Sequence, residues 1–401
     1  MTPPVGCASL LAAQERFDRA NIANRRWFAM WSRGLALLLA ASLGLLAGRV
    51  QAQSPPDRSG EASPFVGREI AVDVTSASAA QAREQAIADA ERRAVQQVLE
   101  RLTLPADHAR LPRPVGAALQ ALIEGMEVHG ERVSATRYIA RIDVAFRRAG
   151  IRALLRQAGI PFAETRAQPA LLLPLLERER QLLLFEGDNP WAAAWAELPL
   201  LAGLRPMLLP SADAEPATLP PADRARLSSV ETWRPLAARL GADSVILADA
   251  KLLEDAGGSV LDLTLHALDG AQDTTIVRRL QAAAGTPAAD LLRQAATAAL
   301  SELEEQWKRS ILLNFEQRGQ LLVEAALGGL ADLVTLRRTM QQTAAIRRVE
   351  ILSLTRRQAQ LLLQVLGEPA QLALALAQRG IELRQEGEAW RMAVRQPTSP
   401  K

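Results

Sequence analysis

His108, His129 and His266 are the only imidazoles in the chain, and none is near another in sequence. Histidine is the usual general base near neutral pH and a common metal ligand, so a site built on it needs partners at close spacing. Without that spacing, each reads as an ordinary loop or strand residue, and no metal site is expected. Ser259, Asp262 and His266 place nucleophile, acid and base chemistry in one stretch. Gly257-Gly258-Ser259-Val260-Leu261 nevertheless lacks the glycine after serine that a nucleophile elbow requires, and it reads as a glycine turn entering a strand. Glu177 with Glu179, Glu302 with Glu304 and Glu305, and Glu386 with Glu388 could serve as acid and base pairs on a glycan. Their settings are a charged turn, a polar helix face and another turn, where solvation alone accounts for carboxylates. Gly328-Gly329 is followed by neither the spacing nor the lysine of a phosphate-cradling loop.

Two groups of residues have binding rather than reactive character. Trp191 and Trp195 lie four apart behind Asp188-Asn189-Pro190, on one face of a helix that either lines a ligand or partner groove or packs on a sheet. The pairs Arg347-Arg348 and Arg356-Arg357, with Arg337-Arg338 before them, either face an acidic partner or lipid head groups together, or form a solvated surface. Trp191, Trp195, Arg347, Arg348, Arg356 and Arg357 are therefore the candidate binding residues. No residue is assigned a catalytic role, and no cofactor is expected.

An export signal precedes all of this. Arg25, Arg26 and Arg33 form a positive region, Leu35 to Ala47 is a run of thirteen small or apolar residues, and Val50-Gln51-Ala52 is a small-residue cleavage tripeptide. Cleavage between Ala52 and Gln53 is expected, because the run is shorter than the roughly 18 to 20 apolar residues of a permanent span. A retained inner-membrane anchor is the alternative. Met1 and Met30 are both compatible starts, and Arg25-Arg26-Trp27-Phe28 fits a twin-arginine pattern whose flanking positions are unmatched. The only cysteine, Cys7, lies before the apolar run, so disulfides, thiolate chemistry and cysteine metal sites are not expected after processing. Six arginines but only Glu15 and Asp18 fall within residues 1–52, which leaves the remainder close to neutral despite a pI near 9.6. A balanced surface argues against nucleic acid as a partner, since phosphate binding needs a basic face.

Hydrophobic periodicity divides the rest into an aperiodic linker, residues 53–64, and three small domains. In the first, 65–165, Ile70, Val72 and Val74 alternate as a strand. Ser78 and Gln81 have capping-box spacing, and Ala82, Ala86, Ala90, Ala94, Val98 and Leu102 make the inner stripe of a long helix. A weaker helix over Val115 to Gly125, a strand pair ending at Phe146 and a helix closing at Gly159 complete a β-α-α-β-β-α order. The second, 168–310, carries the continuous apolar runs Leu171–Leu176 and Leu182–Phe185, as in strands covered on both faces. A helix begins at Asn189-Pro190, a strand covers Leu204–Leu209, and Pro235 places the start of the next helix near Thr232. A three-strand meander and the helix after Thr286-Pro287 follow. The third, 315–396, reads β-α-β-β-α-β with its last strand whole or split, which is the order of a ferredoxin-like domain. The predicted class is α/β and α+β.

Arg137 to Phe146, Ile151 to Pro161, Pro169 to Leu176, Asn189-Pro190-Trp191 and Leu240-Gly241-Ala242-Asp243 resemble the exported proteobacterial family labelled domain of unknown function 2066, over about residues 65 to 310. Leu102-Thr103-Leu104 lacks that family's usual glycine, and Phe162-Ala163 stands where a tryptophan is common, so the chain resembles a divergent member. The resemblance implies an address and an architecture, and it transfers no functional residue. The middle domain is also similar at fold level to small α/β modules that bind partners in the envelope. The expected function is a non-enzymatic periplasmic scaffold or adaptor whose partner is an envelope protein or complex, with membrane contact only through the signal peptide. The alternative is a carboxylate-dependent envelope hydrolase acting on a glycan. An adaptor needs an exposed apolar or arginine-rimmed patch, whereas an enzyme needs a concave site holding convergent carboxylates.

Overall fold

A computed structural model describes residues 63–185, 188–210, 221–255, 257–268, 275–313, 318–387 and 389–395. The expected export signal and cleavage site lie outside them, as do the Asp269-Gly270 turn and Glu388. Three sheets and their helices make a mixed α/β fold.

β1 (Val66–Thr75) leads to α1 (Ala79–Leu102), whose Ala82, Ala86, Ala90, Ala94 and Val98 are all buried. The Ser78 hydroxyl accepts from the Gln81 backbone N–H, while the Gln81 side chain meets the Ser76 hydroxyl, so only half of the expected box forms. Small residues let α1 lie close on the sheet: a Cβ on Gly67 would fall 2.6 Å from that of Ala94. A 3-10 turn (Pro105–Arg110) and the single turn α2 (Ala117–Gln120) follow, then β2 (Ile123–Val133), β3 (Arg137–Phe146) and α3 (Arg148–Gln157). The helix expected over Val115 to Gly125 is thus mostly absent. Gly116, at φ +56°, precedes α2, and from Ile123 the chain extends to pair with β3. The sheet order is β1-β3-β2, antiparallel throughout.

The second sheet begins with β4 (Ala170–Arg178) and β5 (Gln181–Leu183), joined by Glu179 and Arg180, both at positive φ as a tight hairpin turn demands. α4 (Pro190–Ala196), β6 (Met207–Leu208), α5 (Ala222–Ala225) and α6 (Val230–Leu240) come next. Then β7 (Ser244–Asp255), β8 (Gly258–Ala267), β9 (Thr275–Ala283) and α7 (Ala288–Ser310) complete the unit. Strand order is β5-β4-β7-β8-β9, with β6 alongside β4 and β4 parallel to β7. Leu172 and Leu176 face the layer of α4 and α7, while Leu171, Leu173 and Leu175 face Trp233 and Leu236 of α6. Cover on both faces explains the unbroken apolar run. Two expected strands shrink, to Gln181–Leu183 and Met207–Leu208. α6 starts at Val230 rather than Thr232, with Pro235 inside it. The burial of Trp233 and Leu236 against the sheet holds that helix across the missing amide hydrogen bond.

The third sheet comprises β10 (Arg318–Ala326), α8 (Leu330–Gln342), β11 (Ile346–Leu354), β12 (Gln358–Leu366), α9 (Pro369–Ala377), β13 (Ile381–Glu386) and β14 (Ala389–Val394). Its order is β11-β12-β10-β14-β13. The β-α-β-β-α-β succession is present, but the last strand is a hairpin whose second arm, β14, lies beside β10 and parallel to it, displacing β13 to the edge.

One continuous core joins the first and third sheets, from Phe65 and Tyr138 through Phe162 and Leu313 to Leu363 and Met392. Polar contacts bind the three regions. Lys308 Nζ, on α7, donates to the carbonyls of Glu100 and Thr103 at the C-terminal end of α1, at 3.0 and 2.8 Å. Trp307 Nε1 donates to Thr165 O at 2.9 Å, and Gln168 donates two hydrogen bonds to Gln378 beyond α9, from its backbone N–H and its side-chain amide. Among the described residues, no helix is long and apolar enough to cross a membrane.

Candidate functional site

Strand alternation separates the residues of the Ser259, Asp262 and His266 group. Ser259 is buried on the face of β8 that carries Leu261, Leu263 and Leu265, whereas Asp262 and His266 point to the other face. Asp262 holds Arg279 in a two-pronged ion pair, and that guanidinium keeps its carboxyl below the ordinary range. His266 Nδ1 meets the Thr275 hydroxyl at 3.2 Å. No triad forms.

The candidate carboxylates are engaged one by one. Glu177 lies between Lys251 at 3.0 Å and Arg226 at 2.6 Å, and these hydrogen-bonded cations hold its carboxyl below the usual value. A general acid on a glycan needs the opposite shift. Arg226 also clasps Asp249, at 2.5 and 2.8 Å. Glu302 pairs with Arg278, Glu305 with Arg309 and Glu386 with Arg391. Glu304 is structural: its oxygens accept from the Leu204 and Arg205 backbone N–H groups at 3.0 and 2.9 Å. Glu179 is exposed in the β4–β5 turn.

Among the described residues, two of the depressions bear on a carboxylate site. A cleft of about 650 Å³ between the second and third sheets is lined by Arg205, Arg234, Arg395 and Trp307, with Asp243 the only carboxylate among its described lining residues. A shallower one of about 420 Å³ on the third sheet holds Glu324, Glu382 and Glu386 among Arg357, Arg384 and Arg391. Two of those carboxylates are paired with arginine, Glu382 with Arg384 and Glu386 with Arg391.

Trp191 and Trp195 are core residues. Asn189 caps α4 by accepting from the N–H groups of Trp191 and Ala192, and both indoles then turn inward with no exposed surface. Their rings meet edge-on at 5.4 Å, and Trp191 Nε1 donates to Ala248 O at 2.9 Å. The groove expected from this pair is corrected to a packing contact, because the apolar face of α4 has the second sheet and α7 to cover.

Arg347, Arg348, Arg356 and Arg357 are exposed as expected, but they do not converge. The first two stand at the start of β11 and the others in the turn after it, about 25 Å apart at the rise of an extended strand. Thr355 builds that turn, its hydroxyl accepting from the Gln358 N–H at 3.1 Å, and Arg357 O accepts from Leu327 N at 2.8 Å. Arg348 reaches Glu350 at 3.0 Å. Arg337 and Arg338 are exposed on α8. Between the two arginine pairs lies a feature that the alternation of β11 did not reveal. β11 is an edge strand paired with β12 alone, and Ile351, Leu352 and Leu354 are each about half exposed, at 52, 54 and 52%. A register shift between Ile351 and Ser353 places Leu352 at a bulge. The stripe Ile351-Leu352-Leu354 with arginines at both ends is the candidate interaction surface.

No family model matches this chain, and no curated protein matches it. Among solved structures it is similar to a crystal structure of TolB from Acinetobacter baumannii, with 12% identity over 40% of this chain and a TM-score of 0.23. The match spans 33% of that protein, about a third of its length.

Proposed function

We propose that this chain is an exported, non-enzymatic adaptor of the cell envelope, a divergent member of the family labelled domain of unknown function 2066, and that β11 is its partner-binding edge. One observation carries the reading: an unpaired strand edge presents Ile351, Leu352 and Leu354 between Arg347-Arg348 and Arg356-Arg357. Edge strands with free backbone groups accept an extended segment of another chain, and side-chain complementarity selects which one. The matching segment is apolar at its centre and acidic at its ends. Engagement of Glu177, Glu302, Glu304 and Glu386 with cations or backbone amides supports the same reading over the hydrolase. Export rests on the arginine region, apolar run and cleavage tripeptide before Gln53.

The test is complementation of a deletion strain, with a photo-cross-linking residue at Leu352 and amino-terminal sequencing of the periplasmic protein. Sequencing should begin at Gln53. Leu352→Asp, and Arg347→Glu with Arg356→Glu, should abolish both cross-linking to one envelope partner and complementation. Glu177→Gln, Glu324→Gln and Glu386→Gln should complement. Loss of complementation by a folded carboxylate variant, with Leu352→Asp active, would establish the hydrolase instead.

A further inference from the structure

β2 carries the second unpartnered surface of the molecule, and its sequence names the partner. It is the edge of the first sheet, bonded only to β3, and from Glu124 to Val133 every residue is exposed. α1 packs over β1 and β3, while its Arg83 reaches out to Glu131 of β2 at 3.5 Å. Met126, Val128 and Val133 stand exposed beside Val144, Ile142 and Tyr138, their fully buried cross-strand neighbours. The apolar layer of this sheet thus runs on past its cover, along a strand whose outer edge has no strand beside it.

We propose that β2 pairs with β2 of a second copy of this chain, antiparallel about a two-fold axis through Val128. An isologous contact of this kind requires each residue to complement the one equally distant on the other side of the axis. Around Val128 the sequence does so. Glu127 falls opposite His129 of the second copy at both symmetric contacts, inside the stretch of β2 that pairs regularly with β3. Val128 meets itself, and Met126 falls toward Gly130, where no side chain obstructs it, while Glu131 is held by Arg83 of α1. Placing the axis one residue earlier would set Glu127 against Glu127. Two register irregularities, between Ile123 and Gly125 and between His129 and Arg132, flank the axis on either side and leave Met126 to His129 regular for pairing. Two sheets of order β1-β3-β2 would become one six-stranded sheet, and the apolar stripes of both copies would adjoin across the axis. The inference is independent of the role proposed for β11.

Sedimentation of the exported, full-length processed chain should show a dimer. His129→Glu sets like charges against Glu127 at both symmetric contacts and should weaken dimerisation by roughly tenfold or more. Glu127→Arg added to His129→Glu should restore it, which a merely structural defect would not allow. In a Cys7→Ser background, Val128→Cys should oxidise readily to a covalent dimer, since directly opposed strand residues lie within disulfide reach. Val277→Cys, more exposed than Val128 and on the edge strand β9, should not. A chain that stays monomeric, a double variant that fails to recover, or a Val128→Cys that links only to a different protein would each overturn the proposal.

Discussion

Single residues show most sharply how context decides role. Glu177, Glu304 and Trp191 all have types that could act on a ligand, and each is held by a partner distant in sequence: Arg226 and Lys251, the Leu204 and Arg205 amides, and the Ala248 carbonyl. For Glu177 this has a measurable consequence. Its carboxyl titrates below the ordinary 4.5 because Lys251 and then Arg226 hydrogen-bond its charged form. A carboxyl depressed in the folded state contributes stability above its unfolded value and loses it as pH falls through its folded value. Thermal unfolding should therefore show a steeper loss of stability below pH 4.5 in the wild type than in Glu177→Gln. Equal slopes would mean that the pair is too screened to matter.

At the scale of elements, periodicity located most helices and strands, and it failed where neighbours rather than local pattern decide the outcome. Ala82 to Val98 at a spacing of four marked both α1 and its buried stripe, and the apolar runs around Leu173 marked a strand covered on both faces. Val115 to Gly125 misled because its apolar residues fit a helix equally well, whereas pairing with β3 favours extension from Ile123. Likewise, the order of elements in the third region did not say that β14 would lie against β10 with β13 outside it. That exchange depends on which arm of the hairpin better fills the place beside β10, where buried Met392 adjoins Ala325. The closeness of α1 to β1 supplies the prediction at this scale. Gly67→Ala would drive a methyl group to 2.6 Å from Ala94, and the backbone of α1 blocks an easy escape. Overpacking of this kind costs about 1 to 3 kcal/mol, readable as a lowered denaturant midpoint. An unchanged midpoint would show that β1 shifts freely.

Among the described residues the first and third sheets share a core, and the buried Lys308 ties the second region to the first. Lys308 is 7% exposed, and burial holds its ammonium below its ordinary value, yet it closes the C-terminal end of α1 by donating to Glu100 O and Thr103 O. The charge offsets part of its desolvation by serving two carbonyls at the C-terminal end of α1, of which Glu100 O also accepts from Thr103 N at 3.4 Å. Lys308→Met should remove the side-chain donor from Thr103 O and Glu100 O and cost about 1 to 3 kcal/mol. Because the core of the first and third sheets is continuous, the loss should appear as a lower midpoint of one shared transition. A variant that melts α1 separately, with the third sheet unaffected, would show that the two regions unfold independently.

Sequence alone determined the class of fold and the place of most elements, because these follow from local periodicity, residue type and spacing. It also supplied the export expectation, whose residues precede Ser63. Only the tertiary structure decided that Trp191 and Trp195 face inward, that the arginine pairs stand at opposite ends of a hairpin, and that β2 and β11 are edges with uncovered apolar residues. An amphipathic strand has the same alternation at an edge as at the centre of a sheet. Whether its outer edge and apolar face meet protein or solvent depends on strand order and helix reach, which long-range packing sets.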